Sequence, residues 1–189
     1  MSNFDKAIKV ILRHEGGYVN NPNDNGANTN HGITIGFLQG WGDLGDFDHD
    51  GDVDVQDIKN MTEEQATAIY KKTWWDMYKY DRITDLTIAT KIFDFSVNMG
   101  ASRAHKILQT ALNNAFGLKL TVDGIIGNTT IAIINAVKDG SGEQQLIDAY
   151  SDEAWGFYQP LIANNPKFQV FEKGWKYRAY SIKTANSIV

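Results

Sequence analysis

The sequence predicts a mostly α-helical fold with a small β element. Apolar residues recur at helical spacing over most of the chain, and only three prolines interrupt its 189 residues. β-Type patterning is confined to one short run, Gly32-Ile33-Thr34-Ile35-Gly36.

Phe4, Ala7, Ile8, Ile11 and Leu12 place a first amphipathic helix that runs into Glu15 and stops at Gly16-Gly17. Residues 19–31 are polar and rich in Asn and Gly, which marks a loop. The Ile33–Ile35 strand forms one arm of a small β-hairpin. A short helix is expected from Val55 to about Lys59. Thr62-Glu63-Glu64-Gln65 supplies an N-cap and an acidic first turn for a helix reaching about Trp75. Ile88–Met99 reads as an apolar helix ending at Gly100, and Ser102 caps the next, through Leu112. Thr129 or Asn128 caps another through Val137, and two more follow over Glu143–Tyr158 and roughly Asn165–Ala185. The segment from Gly117 to Gly127 is a connection, with a short extended piece at Lys119–Val122.

Glu15 is the first candidate for chemistry. A carboxylate at a helix C-terminus faces the negative end of the macrodipole, which disfavours its ionised form. That suits a group that must hold a proton and donate it, as in cleavage of a sugar polymer. Asp24 lies nine residues on, across the loop, where a second carboxylate would position water or stabilise an oxocarbenium-like charge. An Asx-turn in Asn-Pro-Asn-Asp-Asn-Gly is its simpler explanation. Thr29, His31 and Thr34 are candidates for contacting a sugar or a water, although a strand threonine can equally serve packing. Tyr70, Trp74, Trp75, Tyr78 and Tyr80 crowd one segment. Trp75 is assigned to the core and Tyr78 to a substrate groove. Asn98, four residues after Asp94 on one helix face, is a further candidate for substrate contact, with helix capping or an inter-helix hydrogen bond as the alternative.

A second pattern concerns metal. Counting from Asp46, carboxylates fall at positions 1, 3, 5, 9 and 12 (Asp46, Asp48, Asp50, Asp54, Asp57), with Gly51 at 6 and Val53 at 8. Position 7, Asp52, offers its backbone carbonyl. This is the EF-hand ligand order with Asp in place of Glu at 12, as in dockerin-like loops. Six aspartates in twelve residues repel one another unless a cation neutralises them. The expectation is one structural Ca2+ at 46–57, in a half-hand, because Gly40, Gly42 and Gly45 weaken any preceding helix. No organic cofactor is expected.

The formal charge of −5 would be +1 without those six aspartates, so the acidity is local, and with no basic stripe nucleic acid is not an expected partner. The absence of cysteine removes disulfides and thiol nucleophiles. Asp5 and Lys9 break the apolar run at the N-terminus, so no signal peptide is read there, and no stretch reaches transmembrane length.

E-G-G-Y at 15–18, D-x-G at 24–26 and T-x-x-G-I-T at 29–34 together resemble glycoside hydrolase family 108, the N-acetylmuramidases of the lysozyme-like superfamily. The second half, with Phe93-Asp94-Phe95-Ser96-Val97-Asn98-Met99-Gly100, Asp123-Gly124-Ile125-Ile126-Gly127-Asn128-Thr129-Thr130 and Lys173-Gly174-Trp175, is similar to the predicted peptidoglycan-binding domain that follows it. Ala27 departs from the pattern, where a second glycine is usual. The resemblance implies a lysozyme-like helical fold, in which the calcium loop read from the aspartate spacing would be an insertion. It implies a catalytic region over 1–87 and a helical peptidoglycan-binding-like region over 88–189. The implied activity is hydrolysis of the β-1,4 bond between N-acetylmuramic acid and N-acetylglucosamine in peptidoglycan glycan strands, with Glu15 as general acid. A monomer is expected, made in the cytoplasm and reaching the wall after release or by non-classical export. The alternatives are a lytic transglycosylase, a non-catalytic wall-binding or secretion-accessory protein, and a calcium-dependent adhesion module.

Overall fold

The computed structural model describes residues 1–16, 19 and 20, 28–137 and 141–184. They form nine α-helices and three short strands, so the chain is mostly helical. Two compact units divide it, one of residues 11–73 and the other of residues 1–10 with 74–189.

The unit of residues 11–73 takes in the end of α1 (Asn3–Glu15) and a three-stranded antiparallel sheet in the order β1 (Val19–Asn20), β2 (Asn28–Asn30), β3 (Ile33–Thr34). The hairpin expected from the sequence therefore gains a third strand. In register, Val19 faces Thr29, Thr29 faces Thr34 and Asn30 faces Ile33. The β-type run stops earlier than its pattern suggests. The Thr34 hydroxyl accepts from Phe37 N at 3.2 Å and starts α2 (Ile35–Gln39), so Ile35 and Gly36 are helical. A 3₁₀ turn (Gly42–Gly45) precedes the aspartate loop. Reciprocal capping boxes start α3 (Val55–Asn60), from Asp54 and Asp57, and α4 (Glu63–Tyr70), from Thr62 and Gln65. Past Tyr70 the helix widens into a π turn, Lys71–Asp76, where the sequence shows only one continuous helix.

The larger unit is built around α5 (Leu86–Met99), in which every residue from Thr87 to Ser96 is buried. Asp85 caps it by accepting from Ile88 N. Trp75 packs edge-on against Phe4, Phe93 and Tyr80 at 5.6, 5.6 and 6.0 Å, in the core as its spacing suggests. α6 (Ala101–Phe116) begins one residue before Ser102 and ends at Gly117, whose φ of +65° makes it a left-handed cap. α7 (Asn128–Val137), α8 (Gly142–Asn164), a 3₁₀ stretch (Pro166–Phe171) and α9 (Glu172–Ser181) follow. Two buried charges of α5 reach α9. Lys91 Nζ donates to Ala179 O at 2.7 Å and Ile182 O at 3.2 Å, and Asp94 pairs with Arg178 at 3.4 Å.

Residues 118–127 form no strand. They are fastened to one face of α6 by side chains four residues apart. His105 Nδ1 meets Gly124 O at 3.0 Å, and Gln109 bonds Gly124 N, Ile125 O and Asp123. Asn113 bonds both the N–H and the carbonyl of Leu120. Among the described residues no helix is long and apolar enough to cross a membrane.

Candidate active site

Three elements of the smaller unit converge on Gly32. α1 delivers Glu15 at its last residue. Gly16, at φ +75°, closes the helix with its N–H on Leu12 O, and leaves the Glu15 side chain half-buried. β2 and β3 are joined by just His31 and Gly32, at φ +49° and +76°. Positive φ at both positions is the type I′ pattern, whose twist matches that of the strands. From α4 the buried Tyr70 hydroxyl donates to His31 O at 2.8 Å. This brings the turn so close that a Cβ on Gly32 would lie 2.6 Å from Glu15 Cβ, 2.7 Å from Glu15 Cγ and 2.7 Å from the Tyr70 hydroxyl. Glycine is required there twice over, by backbone conformation and by space.

Asn30 anchors the hairpin from the other side. It is buried, and its Nδ2 donates to Ile58 O at 3.0 Å and Met61 O at 3.3 Å, satisfying carbonyls at the end of α3. The sequence marks Tyr70 only as one of a crowd of aromatics and gives Asn30 no role. An asparagine is a poor strand residue, and one placed beside a β-type run was the available signal.

The other candidates are distributed as follows. Thr29 is half-buried in β2 and His31 half-buried in the turn, both in the hairpin next to Glu15. Thr34 spends its hydroxyl on the α2 cap. Asp24 lies outside the described residues. Tyr78 and Asn98 belong to the larger unit. Asn98 is exposed, and its Oδ1 accepts from the Tyr158 hydroxyl at 2.6 Å. Tyr78 is half-buried, stacked on Tyr80 at 5.8 Å and edge-on to His105 at 4.9 Å.

The aspartate loop splits into two trios. Carboxylate oxygens of Asp46, Asp48 and Asp50 lie within 4.8 Å of one another, as do those of Asp52, Asp54 and Asp57. Gly51, at φ +102°, donates its N–H to Asp46 Oδ2 at 3.1 Å. Asp46 Oδ1 is buried and has no hydrogen-bond partner. Asp57 is occupied. Its Oδ1 accepts from Phe47 N at 2.6 Å and Asp48 N at 3.3 Å, and its Oδ2 from Asp54 N at 2.9 Å. Burial raises the proton affinity of Asp57, but these backbone donors outweigh it and hold the carboxyl below its usual range. Asp52 is pushed upward, chiefly by the charge of Asp50.

Comparison with known proteins bears on family and fold. Residues 8–100 match the family described as glycosyl hydrolase 108, and residues 103–180 match the one described as predicted peptidoglycan domain. A solved structure similar to this fold is that of Brucella abortus SagA, with a TM-score of 0.72 and 26% identity, covering 97% of this chain and 92% of that one. No curated protein sequence matches the chain. The chain thus carries a region of the glycosyl hydrolase 108 family over residues 8–100 and a predicted peptidoglycan domain over 103–180, which together support a glycoside hydrolase that acts on peptidoglycan.

Proposed function

We propose that the chain hydrolyses the β-1,4 bond between N-acetylmuramic acid and N-acetylglucosamine, with Glu15 as the general acid. The observation that carries this reading is the clamp on Glu15, whose Cβ and Cγ lie against Gly32 and the turn latched by Tyr70. A proton donor needs its carboxyl held in place, since positioning supplies much of an enzymic rate.

Glu15 donates its proton to the glycosidic oxygen as the C1–O bond breaks. A water adds to C1 and gives its own proton to a second carboxylate, for which Asp24 is the candidate. Thr29 and His31, in the hairpin whose Gly32 lies against Glu15, are the proposed contacts for the sugar. Thr34 takes part through the helix it caps.

Calcium is proposed as a structural ion of the aspartate loop. The trio Asp46, Asp48 and Asp50 fits a hard cation that takes oxygen ligands, and the orphaned Asp46 Oδ1 supports it. Asp52, Asp54 and Asp57 complete the acidic set, the last as the lock of the turn. Bound there, Ca2+ would offset the mutual repulsion of the aspartates.

The test is digestion of purified peptidoglycan, in calcium, by wild type and Glu15→Gln, with mass spectrometry of the released sugars. Reducing-end N-acetylmuramic acid, lost in the variant, is expected. Anhydro ends would mean a lytic transglycosylase instead. No products from wild type would leave a binding protein.

A further inference from the structure

The larger unit contains a cavity of about 270 Å³ that takes no part in the chemistry above. Whole small-molecule sites run to roughly 300–1,000 Å³, so this one suits a fragment of a larger ligand. Residues from both family-matched regions line it. Met77, Tyr78, Lys79 and Arg82 come from the hydrolase match, His105 and Ile125 from the peptidoglycan-domain match.

Its chemistry is cationic and alkyl. Lys79 and Arg82 are exposed, and no carboxylate lines the cavity, in a chain whose net charge is −5. Arg82 Nη1 donates to Asn128 Oδ1 at 2.7 Å, and Asn135 Nδ2 donates to Arg82 O at 2.9 Å, so the guanidinium is fixed at the rim. Its five-donor fork has donors to spare for a carboxylate. Met77 and Ile125 are 61% and 66% exposed, large apolar side chains left in water at the same opening. The floor is rigid. His105 and Gln109 hold Gly124 and Ile125 through main-chain hydrogen bonds.

Peptidoglycan offers two kinds of surface. Its glycan is a largely neutral polyol that binds flat aromatic faces beside amides, but Tyr78 is already stacked on Tyr80 and in T-shaped contact with His105. Its stem peptide carries free carboxylates and small alkyl side chains. Two cations flanked by two exposed alkyl groups match the peptide. We propose that this cavity binds the stem peptide of peptidoglycan, with carboxylate on Lys79 and Arg82 and alkyl groups against Met77 and Ile125. This deepens the peptidoglycan-hydrolase reading and rests on it.

Titration of the calcium-loaded full chain by NMR tests the proposal, using a disaccharide-tetrapeptide, the same disaccharide without peptide, and the free tetrapeptide. Amide shifts at 77–82 and 124–128 are expected with both peptide-bearing ligands and not with the bare disaccharide. Lys79→Glu and Ile125→Asp should each weaken tetrapeptide binding at least tenfold, while Lys167→Glu, an exposed charge reversal elsewhere in the unit, leaves it unchanged. Retained affinity in both cavity variants, or inorganic phosphate shifting the same amides as strongly as the peptide, would overturn the proposal. Cleavage of peptide-bearing and peptide-stripped strands separates the two readings. Wild type that cuts strands yet ignores the tetrapeptide sinks this inference alone. Wild type that binds the tetrapeptide yet cuts neither strand sinks the hydrolysis reading and upholds this one.

Discussion

Gly32 lies against Glu15 so closely that a single added methyl would come within 2.6 Å of Glu15 Cβ. The stem of the proposed acid is thus set by the absence of a side chain on a neighbouring hairpin. Glu15 and the turn are one mechanical element, and disturbing either moves the other.

Gly32→Ala combines a strained positive φ with that overlap, and should destabilise the protein by about 2–4 kcal/mol. Peptidoglycan cleavage should fall on the order of 100-fold even below the melting point, because the acid is displaced. Gly36→Ala, where a Cβ meets nothing within 4 Å, is the control and should change neither. Turbidity clearance of cell walls and thermal melts check both.

Tyr70→Phe removes the donor to His31 O and leaves a carbonyl of the turn without that bond. A stability loss of about 1–3 kcal/mol is expected. The effect should appear in kcat with KM nearly unchanged, since the hydroxyl positions the turn behind Glu15.

Lock and ligand can be told apart in the aspartate loop. Asp57→Asn loses an acceptor for one of three backbone N–H groups and should lower the melting temperature with or without calcium. Asp48→Asn and Asp50→Asn relieve part of the repulsion, so they should melt no lower than wild type in EGTA yet lose the increment that calcium gives, about 2.7 kcal/mol at 100 times Kd. Calorimetry with and without EGTA reads the difference.

Burial pushes His105 down to about 4 from the ordinary 6.5, partly opposed by its bond to Gly124. With Nδ1–H donating to Gly124 O, Nε2 accepts from the Tyr80 hydroxyl at 2.7 Å, so the ring is held neutral. Between these values the unfolded chain binds more protons than the folded one. Stability should therefore fall as pH drops from 6.5 to about 4, by on the order of 3 kcal/mol, and this contribution should level off below. Urea unfolding at pH 7, 5.5 and 4 measures the slope, which His105→Gln should flatten.

The helices were legible because their periodicity, caps and terminal glycines are local properties. Thr62 and Gln65 form the capping box that their spacing announces, and Trp75 is core. The hairpin was half-legible. Gly32-Ile33-Thr34 marks a strand, but the turn of Thr34 from strand pairing to helix capping depends on where Phe37 lies in space. Tyr70 and Asn30 could not be placed, since each acts on a backbone carbonyl 28 to 39 residues away in sequence. Asp57 shows the same limit. Its spacing says ligand, while its three N–H partners also make it a brace of the turn, and only the folded loop displays those partners.

The face of α6 that carries His105, Gln109 and Asn113 bonds, apart from Asp123, only main-chain groups of the 118–127 connection. Every amino acid but proline offers the same amide, so beyond Asp123 and Gly124, where a Cβ would lie 2.8 Å from Ser102 O, the attachment places few demands on which side chains the connection displays. Residues such as Ile125 can be exchanged with little penalty to folding. The connection is therefore a mount on which evolution, or a protein engineer, can swap recognition surfaces for different cell walls while the helices beneath stay as they are.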